Sequence, residues 1–407
     1  MTTDIPQRTV MVTTSRMPFA LDAIRKLGRR GHRVIALDTF AASPGAHSRY
    51  AQASIVAPSP RFDPQGFVGA VIDGVQRYDA DFLLPCFEEA ILLSEAREEV
   101  EAEGTDIFTA EPEALWALHD KDAFRELAAS LGLDVPVTFT AKNRAELEFA
   151  LRSFPRHFAR QAFSRGGMGI LTNHGPLAGT TDARALAPQP DNPVIVQPFL
   201  EGEDVCSLSI CHVGRVVAHA SYLHPKGVAG DEETIFRSID PKETLPLAQA
   251  IAAATNYHGQ LSLDCKRTPD GRWVLIECNP RASAGGFFID DDQFERALFA
   301  PRAEVELVPA DTERAFSSAL LRDIVADPAS LGEDLQYILG PSRSQDIDRD
   351  DPATGWWQLL SYVKLLELRR HLGLPTKDRT DLMAAYVHDV LNDGPADLGR
   401  VETARVA

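Results

Sequence analysis

Short apolar runs and helix-forming segments take turns along the first quarter of the chain. RTVMVTT (Arg8 to Thr14) reads as a buried strand, followed by a helix from about Pro18 to Arg30 with a Gly31 stop, then the strand RVIALD (Arg33 to Asp38). A strand, a helix and a strand within about 30 residues predict a parallel, right-handed unit. ASIVAP (Ala53 to Pro58), a helix over Pro64 to Tyr78, DFLLPC (Asp81 to Cys86), a helix around Glu88 to Glu103, and DIFTA (Asp106 to Ala110) continue the alternation. The pattern predicts a doubly wound α/β domain over residues 1–111.

The periodicity then changes. PEALWALHDKDAFRELAASLG (112–132) holds apolar residues at three- and four-residue spacing and predicts helices. Short strands follow in VPVTFT, HFARQAF and PVIVQPFL, broken by the glycine-rich SRGGMGI and a loop rich in Pro, Asp, Gly and Thr from Gly175 to Pro193. Strands with one helix (Thr244 to Asn256) make 202–280 an α+β portion. Helices return after residue 300, in TGWWQLLSYVKLLELRRHLG and around Asp381 to Asn392, beyond a Gly-, Pro- and Asp-rich connection at 340–355. The expected domains are 1–111, 112–192, 193–300 and 301–407.

Composition narrows the function classes. A chain of 407 residues exceeds what one hydrophobic core supports. Its net charge of −18, from 41 basic and 59 acidic side chains, argues against a general nucleic-acid surface. An anionic ligand therefore needs a local positive pocket. The five cysteines (Cys86, Cys206, Cys211, Cys265, Cys278) lie in apolar runs and read as reduced, buried thiols, so a cytoplasmic location is expected. No apolar run approaches the roughly 18 residues of a membrane span, and no basic-then-apolar signal opens the sequence.

The chemistry concentrates in LSLDCKRTPDGRWVLIECNPRASAGG, from Leu261 to Gly286. It predicts two strands joined by a Pro-Asp-Gly turn, with Asp264 on the first and Glu277 and Asn279, two apart and so on one face, on the second. Three oxygen-bearing ligands with Arg281 beside them suit a Mg²⁺-bound nucleoside triphosphate. A solvated acidic hairpin is the plainer reading, but it does not explain Glu and Asn projecting from the otherwise apolar WVLIECN. In SRGGMGI, Gly166, Gly167 and Gly169 let backbone N–H groups approach phosphates, with Ser164 and Arg165 at the start of the loop and Arg160 upstream. Lys121 in HDKDAF and the strand VIVQPFLEGEDVCS, with Gln197, Phe199, Leu200, Glu203 and Asp204, supply further phosphate, adenine and ribose candidates. Each alone is also compatible with a surface charge, a hairpin turn or a buried strand.

Together, in this order, these residues resemble the ATP-grasp superfamily over roughly residues 1–300, most specifically through the Glu-x-Asn-Pro-Arg end of the second strand. The resemblance implies a Rossmann-like N-terminal domain, a two-lobed ATP-grasp domain and a C-terminal α-rich extension. It implies Lys121 and Arg160 on phosphates and the adenine side, the Gly166–Gly169 loop over the β- and γ-phosphates, and Gln197, Phe199 and Leu200 on adenine. Asp204 or Glu203 would take the ribose, and Asp264, Glu277 and Asn279 the Mg²⁺, with Mn²⁺ able to substitute. Arg281 would steady the γ-phosphate and the acyl phosphate made from it. Arg160 stands where many members have lysine, which points toward the carbamoyl-phosphate-synthase-like branch.

The activity so implied is carboxylate–amine ligation through an acyl phosphate, releasing ADP and phosphate, with small-molecule carboxylate and amine substrates, expected to be amino acids. Glu88 and Glu89, Lys226 and Arg237 are the substrate-side candidates. Trp356 and Trp357 ahead of an apolar stripe suggest a core or a homodimer face. The alternatives are a non-catalytic nucleotide-binding or regulatory protein on the same fold, and an ATP-grasp enzyme using a non-amine nucleophile. A Rossmann oxidoreductase is disfavoured, because the first turn, TTSRMPFA, has no glycine.

Overall fold

A computed structural model describes residues 5–163, 169–228, 232–317, 320, 324, 328–339, 343–345 and 347–372. The chain forms two compact units, each built from separated stretches: Met1–Ala114, Cys206–Ser262 and Pro280–Leu391 in the first, Leu115–Val205 and Leu263–Asn279 in the second.

The first unit opens with β1 (Thr9–Val12), α1 (Pro18–Arg29), β2 (Arg33–Asp38), β3 (Ala51–Val56), α2 (Pro64–Tyr78), β4 (Phe82–Leu84), α3 (Glu89–Glu95), α4 (Arg97–Glu101) and β5 (Asp106–Ile107). The strands form a parallel sheet in the order β3-β2-β1-β4-β5. Parallel strands are buried on both faces, so the apolar runs need no alternation. Val10, Val12, Val34 and Ala36 enter one core, and Met11, Ile35 and Leu37 enter another with Phe67, Val71 and Val75 of α2. The helix expected over Glu88 to Glu103 is two helices, interrupted at Ala96.

The turn after β1 is closed to a dinucleotide. Arg16 is 1% exposed and donates from its backbone N–H (2.6 Å) and Nε (2.7 Å) to the Asp38 carboxylate. The acid at the end of β2, where a ribose would bind, is thus neutralised from within the loop.

The second unit follows with α5 (Pro112–His119, begun in the first), α6 (Lys121–Ser130), β6 (Phe139–Ala141), α7 (Arg144–Ser153), β7 (His157–Gln161), β8 (Leu171–Thr172) and β9 (Val194–Pro198). Its four-stranded sheet runs β6-β9-β7-β8, all antiparallel, with Leu147 and Ala150 of α7 packed on Ala159, Val194 and Val196. The 112–132 segment breaks at Asp120, whose carboxylate caps α6 by accepting from Asp122 N (2.8 Å) and Ala123 N (3.3 Å).

Back in the first unit from Cys206 on, β10 (Glu203–His212), β11 (Arg215–Val228) and β12 (Glu232–Ile239) form an antiparallel sheet, followed by α8 (Leu245–Ala254). Next come β13 (Gly259–Arg267) and β14 (Trp273–Asn279), whose residues from Leu263 on belong to the second unit. The expected tight turn joins them: Thr268 N donates to Arg272 O at 3.0 Å, and Gly271 has φ +84°, a left-handed conformation that suits glycine. A short 3₁₀ turn (Ala284–Phe288), α9 (Asp291–Phe299), β15 (Glu306–Leu307), β16 (Glu313–Ala315), α10 (Leu331–Leu339), β17 (Arg343–Ser344) and α11 (Ala353–Leu372) complete the first unit. Arg25 of α1 fastens this C-terminal part through Asp351 (3.0 Å), Gln345 O (2.6 Å) and Thr354 (2.6 Å). The helix expected around Asp381 to Asn392 lies outside the described residues. Among the described residues, no helix is long and apolar enough to cross a membrane.

Candidate active site

Two features of the second unit bring the candidate residues together. The Asp120 cap fixes Lys121 at the first helical position of α6, 8% exposed, and Leu275 N of β14 donates to Asp134 O (2.8 Å) just beyond that helix. Arg160 sits on β7 opposite Ile195 of β9 and is also buried.

These cations meet Glu277. Arg160 Nη1 lies 2.5 Å and Lys121 Nζ 3.7 Å from Glu277 Oε2. Asn279 donates from Nδ2 to Asp264 Oδ2 (3.0 Å) and to Glu277 Oε1 (3.3 Å). Burial pushes the Glu277 carboxyl up. Arg160, Lys121 and the bonds to Asp264 and Asn279 outweigh it and hold Glu277 well below the usual carboxylate range. Arg160 Nε and Nη2 are buried and have no hydrogen-bond partner among the described residues. Unmade bonds at a buried guanidinium are costly, which marks the place of an acceptor.

The residues read as a metal set fit one in chemistry. All three carry oxygen, and the Asn279 amide stands between two carboxylates as a hard cation would. Among the described residues no three His, Cys, Asp or Glu side chains gather to hold a metal, so a set here would need the Asn279 amide as its third member.

The remaining candidates divide by location. Gln197 is buried on β9 and donates from Nε2 to Thr138 Oγ1 (2.9 Å), while Phe199 receives the Arg156 guanidinium over its ring at 5.8 Å and Leu200 is half-buried. Asp204 pairs with Lys266 at 2.6 Å and Glu203 with Arg267, both on β13. Of the glycine-rich loop, Gly169 is described, with φ +67°, and Ser164, Gly166 and Gly167 lie outside the described residues. Arg281 belongs to the first unit, where its guanidinium lies 4.5 Å over the Phe87 ring. Arg237 donates from Nε (2.9 Å) and Nη2 (2.6 Å) to Glu313. Glu88 is buried at the start of α3, and the Lys226 side chain lies outside the described residues.

Sequence reasoning did not foresee that Arg160 and Lys121 converge on Glu277. The only signal was a cation on an apolar strand and another just inside a capped helix.

The fold is shared with known proteins at low identity. No family model matches the chain. The arginine-specific large chain of carbamoyl phosphate synthase from Eremothecium gossypii is 27% identical over 203 residues, covering 46% of this chain and 18% of that protein. The carbamoyl phosphate synthase large chain from Campylobacter jejuni is 24% identical over 340 residues, covering 78% of this chain and 29% of that protein. The chain thus spans less than a third of these curated relatives. An ADP complex of N5-carboxyaminoimidazole ribonucleotide synthetase superposes with a TM-score of 0.60 at 15% identity, over 81% of this chain and 86% of that one.

The chain is similar in sequence and in fold to enzymes of the ATP-grasp superfamily.

Its sequence relatives lie on the carbamoyl phosphate synthase side of that superfamily, as the arginine at 160 suggests. The ATP-grasp neighbours also include an L-amino acid ligase from Bacillus licheniformis, with a TM-score of 0.52 at 15% identity over 74% of this chain and 76% of that one.

Proposed function

We propose that this ATP-grasp protein is an ADP-forming ligase that activates a carboxylate as an acyl phosphate and joins it to an amine. The observation that carries the reading is the Asp264, Glu277 and Asn279 cluster beside Arg160, whose two buried N–H groups lack an acceptor. ATP phosphate oxygens supply such acceptors, and Asp264, Glu277 and Asn279 would hold the Mg²⁺ that accompanies them.

The chemistry needs such a site because a carboxylate is anionic and would have to expel oxide. A carboxylate oxygen attacks the γ-phosphorus, the bond to the β-phosphate oxygen breaks, and ADP leaves. The amine nitrogen then attacks the acyl carbon, phosphate departs, and the amine gives up a proton. Mg²⁺, when bound, offsets charge on the phosphate oxygens. Lys121 and Arg160 orient the same oxygens and offset the charge that develops on them. Gln197, Phe199 and Leu200 would take the adenine, Glu203 or Asp204 the ribose, and the Gly166–Gly169 loop would keep water from the acyl phosphate.

Amino acids are the proposed substrates, a choice supported by the L-amino acid ligase among the structural neighbours. Cytoplasmic location is supported by five cysteines, all free. A homodimer through α11 is supported by the exposure of Trp356, Leu359, Leu360 and Val363. The test is an ADP-release screen of amino acids singly and in pairs, with mass spectrometry of the product. An amide product with ADP supports the reading, and no acid-dependent ADP from any pair overturns it. Glu277→Gln is expected to abolish turnover.

A further inference from the structure

The crevice at the carboxyl ends of the parallel sheet holds a second group of polar side chains, all within the first unit. In the order β3-β2-β1-β4-β5 the chain winds to one side of β1 and then to the other, so the switch point lies between β1 and β4. Open α/β sheets bind ligands at such points. Glu89, which follows β4, reaches across this one to Thr13, which follows β1: Thr13 Oγ1 donates to Glu89 Oε1 at 2.5 Å. The same oxygen accepts from Cys86 N (3.2 Å) and Phe87 N (3.1 Å).

Two observations point to a ligand. Glu89 is 2% exposed, yet its Oε2 has no hydrogen-bond partner among the described residues. Gln260, 6% exposed at the start of β13, turns its amide to the Cys86 thiol as a hydrogen-bond donor. Both face the buried Cys86 thiol, which burial pushes well up, followed by the Glu89 charge, while the Gln260 amide acts the other way. Finally, Thr14 has φ +49°, a strained conformation for a β-branched residue, of the kind that collects at binding sites.

We propose that Glu89 forms the ammonium end of an amino-acid subsite, in which Glu89 Oε2 receives the substrate ammonium. An unpaired carboxylate oxygen sealed from water complements an ammonium group. Arg281 flanks the same place, because its guanidinium covers the Phe87 ring and the Phe87 N–H binds Glu89. The Glu89 carboxylate spans the crevice to Thr13. The subsite rests on the ligase reading only for the fate of the bound acid.

Binding without nucleotide tests it separately from catalysis. Isothermal titration calorimetry of the full chain is run with each free L-amino acid, and with the N-acetyl form of any that binds. Wild type is expected to bind at least one free amino acid at millimolar concentration or below. Its acetylated form should not bind, and Glu89→Gln should weaken binding about 10- to 100-fold, the loss of one charged hydrogen bond. Equal binding of free and acetylated forms, equal binding by Glu89→Gln, or no binding of any amino acid to wild type overturns the subsite. The acetylated comparison uses wild type alone and holds even where the variant fails to fold. Amino-acid binding without any ADP release would overturn the ligase reading and leave the subsite standing.

Discussion

Replacing Arg160 by methionine separates two roles that its geometry gives it. In the protein without nucleotide, Nη1 compensates Glu277 at 2.5 Å, with the two side chains 10% and 16% exposed. Removing one partner of a buried pair costs about 3–5 kcal/mol when the other charge is left alone. Glu277 keeps Lys121 at 3.7 Å and the Asn279 amide at 3.3 Å, so about 1–3 kcal/mol is expected in urea melts at neutral pH. The pH dependence has a definite sign. Glu277 is held below its ordinary value, so its contribution is present above about pH 4.3 and is lost as pH falls through the folded-state value. Arg160→Met brings that value back up, so the variant and wild type should differ most near neutrality and converge in acid. For nucleotide, losing the unpartnered Nε and Nη2 donors removes at least one charged hydrogen bond, about 1.5–3 kcal/mol, or roughly 10- to 100-fold in the Kd for Mg-ATP by calorimetry. Arg160→Lys keeps the charge but not the fork and should fall between. Wild-type affinity in Arg160→Met would refute the claim that these donors face phosphate.

Other consequences are more local. His219 bonds Ser209 (2.8 Å) and Thr244 (2.9 Å), and burial lowers its pKa to about 4. It binds a proton near pH 6.5 only when unfolded, so wild-type stability should fall between about pH 6.5 and 4, and His219→Gln should reduce that slope by about 1.4 kcal/mol per pH unit; an unchanged slope in urea melts would contradict it. Arg25→Met leaves Asp351, held also by Ser48 (2.7 Å) and Arg49 N (2.9 Å), as a buried uncompensated carboxylate, and should cost about 3–5 kcal/mol by the same measurement. Gly285→Ala would put a Cβ 2.4 Å from Leu208 Cβ and should destabilise by about 1–3 kcal/mol in thermal melts. A wild-type melt for either variant would show that the site relaxes freely.

What the sequence made legible was local. The buried strands Arg8–Thr14 and Arg33–Asp38 stand out because a parallel sheet needs unbroken apolar runs, and β13 and β14 because a Pro-Asp-Gly turn joins them. Glu277 and Asn279 were readable as a pair because the strand period puts them on one face, with Asp264 on the neighbouring strand. The compact units were not readable as contiguous domains, because strands far apart in sequence assemble into one unit and β13 is divided between two. The pairing of Asp204 with Lys266 and of Arg237 with Glu313 depends on cross-strand register, which no single segment encodes.

The ligase claim is tested most directly by oxygen transfer. An amino acid labelled with oxygen-18 in its carboxylate is incubated with the protein, Mg-ATP and an amine, and the released phosphate is analysed by mass spectrometry. The expected result is one labelled oxygen in each phosphate formed and the other in the amide product, with no turnover by Glu277→Gln. Amide formation with unlabelled phosphate, or full turnover by Glu277→Gln, would contradict activation of the acid as an acyl phosphate at this cluster.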